Sequence, residues 1–273
     1  MCLSLKMKMV SKNLSIESIK ELSKTKAKEI SNLSAKKHRD REGLFIVEGE
    51  KNVLDTLSFF KVRYLVCTKK WISQHIELEE RYKDELLISD QKNIDIISSL
   101  KTPPEVVAVM EKPKEITEIP KLKDNKYYLL LDEIQDPGNL GTIIRTCDWF
   151  GIYEIYASPT TTDVYGPKVV QSTMGSLSRV RVHYLDLEQL IRSNREIKLI
   201  GTLLEGVPLA TADITGGGMI LMGNEGNGIS EKLKKYIDLP VTIPPENPER
   251  HPDSLNVAIA TAIIVSKIRA LNS

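Results

Sequence analysis

The sequence predicts an α/β protein: a parallel sheet with helices on both faces, preceded by a smaller α/β domain. Three observations predict it. After residue 126, six short apolar runs recur with helical stretches between them. Before residue 112, a shorter series of strand-like and helical segments alternates in the same way. Between the two, residues 111–125 ("EKPKEITEIPKLKDN") carry two prolines and four lysines with little apolar pattern, as a tether between folded units does. The expected organisation is an N-terminal domain over 1–112, a linker over 113–125 and a second domain over 126–273.

The elements follow in order. Over 15–34, Ile16, Ile19, Leu22, Ile30 and Leu33 fall at helical spacing with a gap near the middle, and Ser18 with Glu21 forms a capping-box pair, so a helix is expected. "GLFIVEGEKNVLDTL" (43–57) reads as strand, glycine turn and helix, and "VRYLVCT" (62–68) as a strand. "KDELLISDQKNIDIISSL" (83–100) continues the alternation, and "EVVAVMEK" (105–112) closes it with a β-branched run after Pro103 and Pro104. In the second half, "YYLLLD" (127–132), "EIYA" (154–157), "RVRVHY" (179–184), "KLIGTLL" (198–204), "MILMG" (219–223) and "LPVTIP" (239–244) read as strands. Helices are expected over 139–150, 167–178, 187–193, 229–236 and 255–270. Strands alternating with helices imply parallel pairing, and in such sheets ligands sit at the carboxyl ends of the strands.

Composition excludes several classes. The three cysteines, Cys2, Cys67 and Cys147, are odd in number and lack a Cys-x-x-Cys pair, which speaks against a disulfide framework and against zinc. No metal site is expected. No apolar run approaches bilayer length, and lysines interrupt the opening "MCLSLKMKMVSK", so a soluble cytoplasmic protein is the expectation. Net charge is +1, yet residues 1–41 hold eleven Lys/Arg against four Asp/Glu. Basic clusters such as "SAKKHRDR" (34–41) either neutralise nucleic-acid phosphates or form a solvated helix face.

Three strand-end loops carry the chemistry. In "DEIQDPGNLGT" (132–142), Pro137 fixes one dihedral, Gly138 permits a positive φ and Asn139 suits the N-cap of the next helix. That helix has an apolar stripe of Leu140, Ile143, Ile144, Cys147 and Phe150, with Gly151 as its stop and Arg145 off the stripe. Arg145 either pairs with Asp148, worth roughly 0.2–0.5 kcal/mol, or grips an RNA phosphate or ribose hydroxyl. "MGNEGNGIS" (222–230) is glycine-rich but lacks the Gly-Lys-Ser/Thr of a phosphate loop, and Glu225 discourages phosphate binding. It is either a tight turn or a ligand loop. In the third loop, Ser254 and Asn256 open the most apolar helix, as capping residues or as catalytic ones, and His251 is either a base or a solvated loop histidine.

Taken together, "DPGNLGT" with "IIRT", then "GNEG", then "SLNV", in this order, resemble the SpoU/TrmH family, over essentially all of 127–273 and including "YGPKVVQSTMGSLSRVRV" (165–182). "SAKKHRDREGLFIVEGEKNVLDTL" (34–57) resembles the substrate-binding domain that precedes the catalytic domain in rRNA-directed members. The resemblance implies S-adenosylmethionine-dependent methylation of a ribose 2′-hydroxyl in RNA by a homodimer whose catalytic domain has a C-terminal trefoil knot. It implies an active-site set of Asn139, Arg145, Glu225, Ser254 and Asn256. It implies cofactor binding, much of it by backbone, around Leu203, Gly223, Asn224, Gly226, Ile243, Leu255 and Asn256. The RNA-facing set is Lys36, Lys37, Arg39, Arg41, Arg145 and Lys168. A guanidinium with a pKa above about 12 is a poor base, so Arg145 is assigned to orient the hydroxyl or an adjacent phosphate.

This chain departs from the family pattern in two places: Ala258 stands where many members have serine, and the excursion over 245–253 is long. Ribosomal RNA is the expected substrate, with transfer RNA second. A catalytically silent RNA-binding or ribosome-assembly protein is the alternative from another class. A dinucleotide-dependent dehydrogenase is set aside because no Gly-x-Gly-x-x-Gly follows a first strand.

Overall fold

A computed structural model describes residues 19–271 apart from 248 and 251. The chain divides into two compact units, one reaching to Pro113 and including Tyr165–Pro167, the other comprising Lys114–Val164 together with residues from Lys168 on.

The first unit runs α1 (Lys24–Asn32), α2 (Lys36–Glu42), β1 (Leu44–Glu48), α3 (Glu50–Thr56), β2 (Val62–Cys67), α4 (Lys69–Gln74), α5 (Ile76–Arg81), β3 (Leu86–Ile88), α6 (Gln91–Ile97) and β4 (Val106–Glu111). Its sheet is mixed, in the order β1-β4-β2-β3, with β4 antiparallel to both neighbours and β2 parallel to β3. β4 can be central because Val106, Val107, Ala108, Val109 and Met110 are apolar on both faces and wholly buried. Val107 and Val109 face Ala27, Ile30 and Leu33 and, from α6, Ile94 and Ile97. Burial of each such aliphatic side chain contributes roughly 1.5–3 kcal/mol.

Two expectations change here. The helix begins at Lys24, capped by the Ser23 hydroxyl, and residues 20–22 are instead extended: Leu22 N–H donates to Ile88 O, and Ile88 N–H donates to Lys20 O. Edge pairing with β3 outcompetes the helical pattern there, and the Ser18 half of the expected capping box lies outside the described residues. The short helices α4 and α5 had no expectation at all.

The second unit opens with an irregular stretch whose later part packs down. Ile119 and Leu122 lie against the core, and Asn194 binds both Pro120 O and Leu122 N–H. It continues β5 (Tyr127–Leu131), α7 (Pro137–Phe150), β6 (Glu154–Ala157), α8 (Pro167–Thr173), β7 (Arg181–Tyr184), α9 (Leu187–Ser193), β8 (Leu199–Pro208), β9 (Gly218–Met222), α10 (Glu231–Lys234), β10 (Leu239–Thr242) and α11 (Val257–Leu271). All six strands pair in parallel, in the order β10-β8-β9-β5-β6-β7. Tyr128 and Leu130 face a cluster with Leu190, Ile191 and Leu233 of α9 and α10. Leu129 and Leu131 point the other way and are equally buried, so both faces are covered. α7 and α11 pack on each other.

Helix ends depart from expectation for local reasons. α8 stops at Thr173 because Met174 (φ 51°) and Gly175 (φ 87°) turn left-handed, leaving one 3₁₀ turn over Ser176–Ser178. α10 is shortened to Glu231–Lys234, with Ser230 extended before it (ψ 143°). Cys67 and Cys147 are free and buried. Burial pushes the Cys67 thiol up to about 12 and the Cys147 thiol higher still, with Asp148 adding to the latter, so neither is a nucleophile. Among the described residues, no helix is long and apolar enough to cross a membrane.

The glycine of "NLGT" is a packing residue. A Cβ on Gly141 would lie 2.3 Å from Ser172 Cβ and 3.0 Å from Val169 O, so α7 and α8 meet at backbone distance. Gly141→Ala is expected to lower unfolding free energy by about 1–3 kcal/mol. Urea denaturation reads this directly, and an unchanged midpoint would rule out a close-packed crossing.

Candidate active site

Parallel pairing sends every strand of the second unit toward one edge, so the loops after β5, β9 and β10 all leave there. β5 and β9 are neighbours, with Leu131 opposite Met222, and Asp132 N–H extends the ladder to Met222 O at 2.9 Å. The first two loops therefore start side by side.

Asp136, not Asn139, is the N-cap of α7: its Oδ1 accepts from Asn139 N–H at 2.8 Å, and Pro137 takes the first helical position. Aspartate ahead of proline is a legible start signal that the expectation passed over. The consequence is that the Asn139 side chain is released from capping. Its Nδ2 donates to Glu225 Oε1 at 2.7 Å, and its Oδ1 accepts from Asn256 Nδ2 at 2.9 Å. Asn256 Oδ1 then accepts from Ala258 N–H at 3.0 Å and Ile259 N–H at 3.3 Å, which makes Asn256 the cap of α11. Ser254, a cap on one of the two readings above, lies two residues too early for it; it is exposed. One side chain from each loop thus enters a single hydrogen-bonded chain, Glu225–Asn139–Asn256, and Ser254 stands outside it.

Arg145 projects from α7 into solvent. Its expected partner Asp148 is taken by Arg179, which donates through Nη2 at 2.7 Å and through Nε at 3.0 Å. Burial raises the Asp148 carboxyl, but the bonds from Arg179 and Ser176 outweigh it and hold the group below its ordinary range. Arg145 is left without a hydrogen bond or ion pair among the described residues.

The glycine-rich loop is tightly built. A Cβ on Gly223 would fall 2.2 Å from the Gly228 carbonyl carbon, so no other residue fits without moving the turn. Asn224 does not offer its side chain to a ligand: Oδ1 accepts from Gly226 and Asn227 N–H, and Nδ2 donates to Glu133 O. Opposite β10, the pairing of β8 jumps from Gly201 to Val207, so residues 202–206 arch out and carry Leu203, which is half-buried. Ile243 is half-buried and Leu255 is 48% exposed. These apolar side chains, a tight glycine turn and a loop with no basic residue suit a ligand with an apolar ring system and no phosphate.

The basic candidates divide. Lys36 and Lys37 are exposed, and Arg41 is exposed beside Glu42 at 2.8 Å. Arg39 is buried, and its Nη1 donates to Leu33 O and Ser34 O, closing the carboxyl end of α1. It is thereby withdrawn from the RNA-facing set. Lys168 Nζ lies 3.8 Å from Asp136 Oδ2 at the start of α7 and is largely exposed. His251 lies outside the described residues.

Residues 126–266 match the SpoU rRNA Methylase family, and residues 24–108 match the MRM3-like substrate binding domain. A 23S rRNA (guanosine(2553)-2'-O)-methyltransferase, RlmP, of Bacillus subtilis is 29% identical over 93% of this chain and 100% of its own length. A solved structure of a TrmH-family protein from Porphyromonas gingivalis is 36% identical and superposes with a TM-score of 0.79, covering 92% of this chain and 99% of that one. The AdoMet-bound rRNA methyltransferase from Sinorhizobium meliloti is 31% identical, with a TM-score of 0.82, covering 93% and 97%.

Because Asn256 caps α11 with one end of its amide and holds Asn139 with the other, the two roles separate by substitution. Asn256→Ala is expected to cost about 0.5–2 kcal/mol, and Asn256→Ser, which keeps a capping oxygen without setting a second oxygen against Asn139 Oδ1, to cost well under half of that. Guanidinium denaturation measures both; equal losses would place the energy in the bond to Asn139 and not in the cap.

Proposed function

Since the chain belongs to the SpoU rRNA methylase family, we propose that it methylates a ribose 2′-hydroxyl in ribosomal RNA, with S-adenosylmethionine as methyl donor. The observation that carries this reading is the Glu225–Asn139–Asn256 chain, with Arg145 exposed on the same helix as Asn139. Three segments far apart in sequence supply it at one sheet edge. The match of residues 24–108 to a substrate-binding domain favours ribosomal over transfer RNA as substrate. It also supports RNA contact through the exposed Lys36, Lys37 and Arg41. A cytoplasmic setting accords with that substrate.

The donor supplies an electrophilic methyl group; the protein's task is to hold the 2′-oxygen in line with it and stabilise the charge that develops as the hydroxyl proton leaves. Arg145, an exposed guanidinium with five donors and no partner among the described residues, is assigned to that oxygen or an adjacent phosphate. Asn139 is locked in one amide orientation by its two partners and presents its N–H face toward Glu225. Glu225 shares its carboxylate between Asn139 and incoming RNA. Backbone around Leu203, Gly223, Gly226, Ile243 and Leu255 is assigned to the donor, with Asn224 and Asn256 shaping those turns. Ser254, exposed just ahead of the α11 cap, is assigned to the same wall. The trefoil knot belongs to this reading too, and what supports it is that β10 is an edge strand separated from β5 by β8 and β9, yet Asn256, which follows β10, bonds Asn139, which follows β5.

A homodimer is the assembly that fits this surface. The packed α7–α11 pair exposes Trp149 at 85%, Ile259 at 52% and Ile263 at 38%. Ile259 and Ile263 are one turn apart on a single face of α11, and such a stripe is costly to leave in water.

Arg145→Ala is expected to lower single-turnover methylation at saturating RNA by about 10²-fold or more while donor affinity stays within about threefold. Turnover within threefold of wild type would remove Arg145 from the reacting centre. Sedimentation velocity of the wild type is expected to give a dimer, and Ile259→Glu combined with Ile263→Glu a folded monomer. A monomeric wild type at micromolar concentration would overturn the assembly.

A further inference from the structure

Two consecutive residues beyond β5 hold the glycine-rich loop at both of its ends. Asp132 is 1% exposed, and its Oδ2 accepts from Ser230 N–H at 2.8 Å, where the loop ends. Glu133 adopts φ 60°, a left-handed conformation uncommon outside glycine, and its carbonyl accepts from Asn224 Nδ2 at 2.8 Å, where the loop begins. Glu133 N–H is in turn fixed by Ser158 Oγ at 2.9 Å. Between the two anchor points sits Glu225, bonded to Asn139.

The bonds inside the loop cannot do this work. The Asn224–Gly228 backbone pair and the turn bonds to Asn224 Oδ1 fix the shape of the turn, but not its height above β5. Height is set by Met222, Asn224 and Ser230, and of these anchors only the last depends on an ionisable side chain. That side chain is poorly repaid for its burial: Asp132 Oδ1 and the Ser230 hydroxyl are both buried without a further hydrogen bond among the described residues.

We propose that Asp132 is a positioning residue for methyl transfer, pinning Ser230 so that the loop over 223–229 presents its backbone to the methyl donor and Glu225 to Asn139. The proposal rests on the assignment of this loop to donor binding. Because the pin is a single accepted hydrogen bond, an amide oxygen serves as well as a carboxylate. Ser230 has φ −62°, which proline adopts without strain, so Ser230→Pro deletes the donated N–H at a φ the ring fits.

Calorimetric titration of the full chain with S-adenosylmethionine, with no turnover involved, tests this. Asp132→Ala and Ser230→Pro are each expected to weaken binding by about tenfold or more, whereas Asp132→Asn and Ser230→Ala stay within about threefold. Amide hydrogen exchange over 223–230 is expected to quicken in the first pair and not the second, with β5 unchanged. Should Asp132→Ala fail to fold, Ser230→Pro carries the test. Wild-type affinity and unchanged exchange in Ser230→Pro would overturn the proposal, as would an Asp132→Asn loss equal to that of Asp132→Ala. Failure of the wild type to bind the donor would strike the cofactor assignment instead, and exchange in the loop would still read the pin.

Discussion

The in-register parallel pairing of β5 with β9 is the constraint on which the site depends. Tyr128 lies opposite Met219 and Leu130 opposite Leu221, and all four belong to one buried cluster. A slip of one residue would exchange the residues of the two covered faces, and because both faces are apolar it is the fit of each set of side chains, not alternation, that holds the register. With Leu131 beside Met222, two loops separated by about ninety residues emerge at the same height. The polar contacts between these two loops are built on that coincidence: Asp132 to Met222, Asn224 to Glu133, Asn139 to Glu225.

The third loop enters the same arrangement through the direction of its amide. Glu225 accepts from Asn139 Nδ2, which leaves Asn139 Oδ1 to accept from Asn256 Nδ2, which leaves Asn256 Oδ1 to accept from the first N–H groups of α11. The chain runs from a carboxylate at one end to the positive end of a helix at the other, so each bond polarises the next in the same sense. Reversing any one amide would set like groups against each other twice. A carboxylate beside an unpaired guanidinium-bearing helix is therefore held in place, while Asp148, the acid that sits closest in sequence to Arg145, is already committed to Arg179.

Much of this was legible in the residues. All six strands of the second sheet and three of its five helices stand close to where apolar periodicity puts them, since long buried runs leave little choice. The family motifs named Asn139, Glu225 and Asn256 together. What was not legible depended on competition between nearby groups. Asp136 and Asn139 both suit an N-cap, and Pro137 decides between them by fitting only the first helical position. Ser254 and Asn256 compete likewise, and α11 starts at Val257. Arg39 reads as one more basic residue of "SAKKHRDR"; only the fold shows it turned inward onto the end of α1, where carbonyls lack partners. The helices α4 and α5 were missed because each is six residues long, too short to show a period.

Two buried acids show how differently one chain uses the same group. Glu48, 5% exposed, accepts from the hydroxyls of Ser98 and Ser99 and from Ser99 N–H, so both carboxylate oxygens are satisfied and the segment after α6 is fastened to β1. Asp132 is more deeply buried, and its carboxylate has a single bond among the described residues. Desolvating a carboxylate costs several kcal/mol unless its hydrogen bonds return it, and one backbone N–H returns about 1.5–3 kcal/mol. Glu48 is explained by its own contacts; Asp132 is not. The rest of the fold must offset the balance, as it does for costly groups kept at functional sites, and what the bond of Asp132 arranges is the loop that carries Glu225.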